Sequence, residues 1–330
     1  MATAEGGGEI IARETHDFSG GLRLARVRVL AALITVLTLP FGGVQWWSVA
    51  PAGHFVLVTG SPPSGALCEF EVLRLGTLTG RGPYRRPCAR PPVASHRIVP
   101  VVGSQRVLSS VPVTVAGKVV MRFGDYSDTR PQYAWYGRSL WIYDVATSRG
   151  PEALRFDSQT GVLLQRTAMP RVYRPVMAAN GDGLWLDPAT NGGLDGVNVA
   201  PLLHVPFGAS KPVVVHRGGR AAMWMAASAH TVWFEQISGG SSVSIWRVDR
   251  STVRLLARPK PIGDQAAYDQ GRLWEVACGS RKDRLLRVDP DSGALTPIGQ
   301  FPDVNYCGAA ITGTHGDAFV LDGQKLYIYR

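Results

Sequence analysis

Apolar and polar positions alternate in short runs along most of the chain, a pattern typical of β-strands. The clearest unit begins with a Trp on an apolar strand and ends with a strand of the form apolar-Arg-apolar-Asp, followed by a turn. Three copies run from Leu140-Trp141 to Asp157, from Val232-Trp233 to Asp249 and from Leu273-Trp274 to Asp289. Since one such unit cannot bury its apolar face alone, we expect successive units to pack on one another.

The spacing of these units predicts the architecture. With degenerate copies included, the central apolar residue of the second motif strand falls at Leu75, Phe123, Phe156, Val205, Val248, Val288 and Ile328. Most of these positions are 40 to 49 residues apart, which suits a four-stranded antiparallel blade. The sequence therefore predicts an all-β fold, a β-propeller over residues 53–330 with seven four-stranded blades, and six blades as the alternative. The tryptophans are predicted to pack between sheets, and the aspartates to accept backbone N–H bonds in tight turns.

The turn Arg287-Val288-Asp289-Pro290-Asp291-Ser292-Gly293, which follows an aromatic-bearing strand, resembles the extracytoplasmic propellers of the NHL, YVTN and streptogramin-lyase-like group. The resemblance is clearest over residues 139–330. It implies a fold more than a function, because that group includes lyases, lactonases and binding scaffolds. The His and Glu pattern with which lyase-like members hold a metal has no match here. We therefore expect a binding protein rather than an enzyme, with no metal and no cofactor.

Residues 29–50 carry no charge and are long enough to cross a bilayer, which takes roughly 20 helical residues. Arg23, Arg26 and Arg28 precede this segment, and no Lys or Arg follows until Arg74, so the N-terminus is expected in the cytoplasm. The sequence predicts a flexible cytoplasmic tail at 1–22, a single-pass transmembrane signal-anchor helix at 23–50 and an extracytoplasmic domain at 53–330. The alternatives are a signal peptide cleaved at Ala50-Pro51-Ala52 and a buried helix of a soluble domain.

The four cysteines agree with export, because they are even in number and form no C-x-x-C motif. Three pairings are open to them. We predict Cys68 with Cys88 and Cys278 with Cys307, since each pair closes a loop of modest length. Four buried free thiols are the alternative.

All of the +10 net charge falls after residue 52, so the main domain is expected to attract anions. A proline-rich segment without acids carries five arginines: Arg81, Arg85, Arg86, Arg90 and Arg97. Held by a Cys68–Cys88 bond, this segment would present guanidinium groups to phosphates or carboxylates, and an ordinary solvated loop is the alternative. The partner expected is an anionic lipid, an envelope polymer or a protein. Nucleic acid is not expected, because the sequence has no helix-turn-helix, zinc or RNA-binding signature.

Histidines are weak candidates for catalytic or metal-binding residues. His216, His230 and His315 lie in different repeats and could converge on a central channel, although His230 and His315 precede aromatic-bearing strands, where a hairpin turn is expected. The sequence has no nucleophile elbow, Walker loop or dinucleotide glycine motif. It therefore predicts a membrane-anchored extracytoplasmic module that binds or scaffolds an anionic or protein partner. The alternative is a metal-assisted lyase or hydrolase in the channel, with His216 or His315 as ligand or base.

Overall fold

The computed structural model describes about three fifths of the chain, and every regular element in that part is a strand. The described residues are 34–38, 45–52, 55–61, 68–73, 111–115, 118–123 and 132–330, the last range with gaps at 148, 159, 172–174, 188–200, 219–221, 240–241, 251, 259–262, 280–281, 303–308 and 324. The predicted tail at 1–22, the arginines of segment 81–97, Cys88 and Cys307 lie outside these residues.

The strands form seven antiparallel sheets within the described ranges, five of them four-stranded. The N-terminal part contributes β1 (Ile34–Thr38), then β2 (Gln45–Ala52), β3 (Phe55–Ser61) and β4 (Cys68–Leu73) in one sheet, and β5 (Val111–Val115) and β6 (Lys118–Phe123) in another. The next two sheets consist of β7 (Gln132–Tyr136), β8 (Ser139–Thr147), β9 (Gly150–Asp157) and β10 (Leu163–Ala168), and of β11 (Val176–Asn180), β12 (Gly183–Asp187), β13 (Pro201–Pro206) and β14 (Val213–Arg217).

Three four-stranded sheets complete the chain. The first contains β15 (Ala222–Ala227), β16 (Thr231–Gly239), β17 (Ser242–Asp249) and β18 (Thr252–Ala257). The second contains β19 (Gly263–Asp269), β20 (Arg272–Ala277), β21 (Lys282–Val288) and β22 (Leu295–Pro302). The last contains β23 (Ala310–Thr314), β24 (Asp317–Asp322) and β25 (Lys325–Tyr329), with β1 as its fourth strand.

The first strands of successive sheets lie side by side. β7 contacts β11, β11 contacts β15, β15 contacts β19, β19 contacts β23, and β23 contacts β2. Sheets arranged in this way around their first strands form a β-propeller. The all-β prediction is therefore confirmed.

The N-terminal segment is not helical where it is described. Within the predicted anchor at 23–50, Ile34–Thr38 is β1 and Gln45–Ala52 is β2, so the structure does not confirm a transmembrane helix. β1 pairs antiparallel with β25, Ile34 opposite Tyr329 and Thr38 opposite Lys325, and thereby joins the two ends of the chain in one sheet. The β-branched residues of this segment favour an extended backbone, and a sheet edge gives its peptide groups partners. No helix among the described residues is long and apolar enough to span a membrane.

A Trp on the second strand faces a basic residue on the third strand in four consecutive sheets. The Cα partners are Trp141 and Arg155, Trp185 and His204, Trp233 and Arg247, and Trp274 and Arg287. The Arg155 and Arg247 guanidinium groups lie 5.9 Å and 5.8 Å from the centroids of their partner indoles, and His204 stacks on Trp185 at 4.0 Å. The repeated Trp and Arg of the sequence are thus cross-strand pairs that stabilise each sheet.

The turn after a third strand docks on the preceding sheet. Pro290 O accepts hydrogen bonds from Trp233 Nε1 at 2.8 Å and from Arg247 Nη1 at 3.2 Å. Within the same turn, the Asp289 carboxylate accepts the N–H groups of Asp291 and Ser292 at 3.1 Å and 2.7 Å. The predictions for the tryptophans and the turn aspartates are confirmed at these positions.

The hydrophobic core is divided among the interfaces between sheets. Between the β11–β14 sheet and the β15–β18 sheet, for example, Trp185 and Leu202 pack with Phe234 and Val248. Similar clusters fill the neighbouring interfaces. Each sheet therefore depends on its neighbours for burial, as expected of a repeat fold.

Candidate functional site

Acidic and basic side chains lie in different parts of the described structure. Among the acids whose side chains the structure describes, Asp289 and Asp291 are exposed and the others are partly or fully buried. Fifteen described bases are exposed: Arg138, Arg149, Arg166, Arg171, Lys211, Arg217, Arg250, Arg254, Arg258, Arg272, Lys282, Arg284, Arg287, Lys325 and Arg330. Because exposed bases outnumber exposed acids among these side chains, this part of the surface has a positive potential that attracts anions.

Two buried acids connect neighbouring sheets. Asp187, at the end of β12, accepts a hydrogen bond from Gln236 Nε2 of β16 at 2.5 Å. Glu235 accepts the backbone N–H of Gly263, the first residue of β19, at 2.9 Å. Burial raises the pKa of Asp187 to about 7, although hydrogen bonds from Gln236 and the backbone of Ala222 oppose the rise. These acids therefore serve as acceptors at sheet interfaces rather than as surface charges.

A second glutamate, Glu275, lies close to Glu235 across the interface between β16 and β20. Both residues are 0% exposed, and neither Glu275 oxygen has a hydrogen-bond partner among the described residues. Burial raises the pKa of Glu275 to about 9, with a contribution from the Glu235 charge, and burial likewise raises the pKa of Glu235 to about 8. Two carboxyl groups in one dry site cannot both ionise cheaply, so the pair keeps at least one proton at neutral pH, and Glu275, which has no hydrogen-bond donor among the described residues, holds it.

Gly263 makes this close approach of the two sheets feasible. A Cβ atom at this position would lie 2.5 Å from Glu275 Oε1 and 2.5 Å from Trp224 Nε1. The described residues contain no group of three or more His, Cys, Asp or Glu side chains that could hold a metal. Because Glu235 and Glu275 are fully buried, the pair joins two sheets and does not face a substrate.

The outermost strands β10, β14 and β18, called the rim below, combine apolar and basic exposed side chains. Leu163 and Leu164 with Arg166 lie on β10, Val213 and Val214 with Arg217 on β14, and Leu255 with Arg254 on β18. Exposed apolar groups that recur beside guanidinium groups are typical of a binding surface for a partner with carboxylate or phosphate groups. The rim is therefore the candidate functional site.

The structure places the three candidate histidines apart. His216 lies on β14, and its ring centroid is 4.5 Å from that of Trp246 in the next sheet. Burial lowers its pKa, so it is a packing residue of an outermost strand. His315 is exposed in the β23–β24 hairpin with φ of 54°, and His230 is exposed before β16, with Nδ1 3.2 Å from Asp182 Oδ1. The prediction of hairpin-turn positions for His230 and His315 is confirmed.

Cys278 follows β20 and is disulfide-bonded. The pairings of Cys68 with Cys88 and of Cys278 with Cys307 stay predictions, because Cys88 and Cys307 lie outside the described ranges. The same holds for anion binding by the arginines of segment 81–97.

Sequence reasoning missed both the rim and the buried carboxyl pair. The signal for the pair was an acid inside an apolar run, Trp233-Phe234-Glu235 and Trp274-Glu275-Val276. For the rim it was the run Pro212-Val213-Val214-Val215, which is followed by a basic residue within two positions.

No protein-family model and no curated protein matches the chain. Among solved structures, a TolB protein from Agrobacterium tumefaciens aligns with a TM-score of 0.52 and 12% identity over 91% of this chain and 98% of that one. The fold is a β-propeller. A PQQ-bound aldose sugar dehydrogenase from Streptomyces coelicolor aligns with a TM-score of 0.48 and 13% identity over 90% of this chain and 98% of that one. At such identities the likeness concerns the fold alone.

Proposed function

We propose that this β-propeller is a binding or scaffolding module whose basic surface holds an anionic partner, with a protein as the preferred class. The observation that carries the proposal is an excess of exposed bases: among the side chains that the structure describes, fifteen bases and two acids are exposed. A surface of one sign accelerates encounter with partners of the opposite sign and disfavours partners of its own sign.

The rim supplies the second element that a stable complex needs. Charge alone gives weak, easily screened attraction, whereas burial of exposed apolar side chains adds affinity that salt does not remove. Leu164 is 47% exposed, Val214 is 41% exposed and Leu255 is 37% exposed, and each lies on the same strand as an exposed arginine. A protein segment with acidic and apolar residues would satisfy both kinds of group.

The proposal also covers the number of blades, the family and the location of the protein. We propose that the seven sheets are seven blades and that the chain belongs to the NHL, YVTN and streptogramin-lyase-like propellers, a placement supported by the Arg287–Gly293 turn motif. The disulfide at Cys278 supports an extracytoplasmic location. Membrane anchoring through residues 23–50 stays a prediction, because the described part of that segment forms β1 and β2. Nothing in the described residues favours the metal-assisted lyase or hydrolase.

The test is binding of labelled poly-glutamate and poly-lysine peptides of equal length to the purified chain, followed by fluorescence anisotropy at low and high salt. The expected result is binding of poly-glutamate that weakens as salt rises, and no binding of poly-lysine. Vesicles with and without an anionic lipid form a second arm. Equal binding of the two peptides, or retention on anionic vesicles alone, would overturn the proposal of a protein partner.

A further inference from the structure

The outer edge of β14 exposes apolar side chains on both faces of its sheet. β14 pairs with β13 on one side, Val213 opposite His204 and Val214 opposite Leu203, and no described strand pairs with its other side. Val213 is 53% exposed and Val214 is 41% exposed. Successive residues of a strand point to opposite faces, so the two valines leave both faces of the edge uncovered. Proteins usually limit pairing at such an edge with charge, proline or a β-bulge, and β14 has Pro212 directly before it and a register shift between Leu202 and Leu203 of its partner strand.

Basic residues flank these valines. Lys211 precedes β14 and Arg217 ends it, both are exposed, and neither forms an ion pair with a described acid. The arginines of the other rim strands are engaged instead. Arg166 on β10 forms an ion pair with Glu152 at 2.9 Å, and Arg254 on β18 lies 3.5 Å from Asp291 O. Arg250 and Arg258, which flank β18, are exposed as well, but β18 exposes one large apolar side chain, Leu255, whereas β14 combines two exposed valines with a basic residue at each end.

The charges argue against pairing of two copies of this chain. If two β14 strands paired antiparallel with Val214 opposite Val214, Lys211 of each copy would stand opposite Arg217 of the other. Like charges directly opposite each other destabilise a strand pair. If the added strand instead carried an acidic residue at each end, the charge pairs at Lys211 and at Arg217 would both be attractive.

The valines argue against a lipid surface. A bilayer is flat on this scale and covers one face of a sheet edge, which would leave Val213 or Val214 in water. An added strand places side chains beside both valines and also pairs the outward N–H and C=O groups of β14. An extended polypeptide strand therefore covers more of the apolar side chains and backbone groups of this edge than a bilayer does.

We propose that β14 is a docking edge for an extended protein segment that has β-branched apolar residues at its centre and an acidic residue at each end, and that this segment adds a strand to the sheet. The inference rests on the proposed function and names its partner class and its site. Lys211 and Arg217 orient the segment, and Val213 and Val214 bury its centre.

The test uses two labelled peptides with the same alternating Val and Thr centre, one with Glu at both ends and one with Lys at both ends. The wild-type chain should bind the Glu-ended peptide and not the Lys-ended one. The double variant Lys211→Glu/Arg217→Glu should lose about tenfold or more in affinity for the first peptide and gain affinity for the second. The double variant Lys282→Glu/Arg284→Glu is the matched control, because it reverses two exposed bases on β21, outside the rim, and it should leave both affinities near their wild-type values.

A third peptide, N-methylated along one edge so that its backbone cannot pair, separates strand addition from simple charge attraction. It should bind at least about tenfold more weakly than the parent peptide. If the double variant and the wild type bind the Glu-ended peptide equally, or if N-methylation has no effect, the docking edge is refuted while binding of poly-glutamate can still stand. If poly-glutamate fails to bind as well, the proposed function fails with it. Thermal melts of both variants establish that they are folded.

Discussion

Replacement of Glu275 by Gln should stabilise the propeller, and increasingly so as pH rises. The folded state keeps at least one proton on the Glu235–Glu275 pair, since burial raises the pKa of Glu275 to about 9 and that of Glu235 to about 8. In the unfolded chain both groups ionise near their ordinary pKa of about 4.3. A pKa that is higher in the folded state favours folding below about pH 4.3, and this stability is lost as pH rises toward the folded value.

The size of the effect follows from the pH interval. Each pH unit above the unfolded pKa costs about 1.4 kcal/mol for a group that stays protonated in the folded state. For Glu275 that amounts to about 1 kcal/mol at about pH 5 and up to about 4 kcal/mol at about pH 7. Glutamine has nearly the same shape as glutamic acid and is uncharged at every pH. Glu275→Gln should therefore raise the free energy of unfolding by this amount. Against a typical domain stability of about 5–15 kcal/mol, the gain at neutral pH is large.

The assay is chemical denaturation of the wild type and the Glu275→Gln variant between about pH 5 and about pH 8. The difference in free energy of unfolding should grow with pH. Glu152→Gln is the matched control, because Glu152 is also buried but forms an ion pair with Arg166 at 2.9 Å. It should lower stability, because it removes the charge that pairs with Arg166. A Glu275→Gln variant that loses stability by the same amount at every pH would refute the reasoning.

Three further changes test the fold. Trp233→Phe removes the indole N–H that donates to the neighbouring turn and should cost about 1 kcal/mol beyond Trp246→Phe, whose indole N–H has no described partner, in denaturant melts. Gly263→Ala places a Cβ 2.5 Å from the Glu275 carboxyl and should cost roughly 1–3 kcal/mol, read as a lower melting temperature. Deletion of residues 1–40 removes β1 and should markedly lower the melting temperature of the purified protein, whereas an unchanged melting temperature would contradict closure of the last sheet by β1.

The repeat was predictable because it is local. Each Trp lies within about 20 residues of its basic partner on the next strand, so the pattern is visible in the sequence itself. The transmembrane helix predicted at 23–50 is not confirmed, and its signal, an uncharged apolar run, is common to membrane helices and buried strands. In the structure Ile34 pairs with Tyr329, about 300 residues away in the sequence, and no local pattern encodes that contact.

The candidate site could not be predicted from the sequence, for a related reason. The net charge showed that the domain is basic. It did not show where the charged side chains lie, because that depends on which strands are outermost. The apolar run at Val213 and Val214 reads equally well as a buried strand until sheet order places β14 at an edge. The partners of Glu235 likewise come from the next sheet, with Gly263 28 residues away.

Hydrogen exchange of the β14 amides tests the central claim most directly. In the free protein, the amides of Val213–Arg217 that point away from β13 should exchange fast, because no described strand pairs with them. With a saturating amount of the Glu-ended peptide, those amides should become protected, while the amides of β18 keep their rates. Protection confined to another surface, or unchanged exchange along β14 with the peptide bound, would contradict the account.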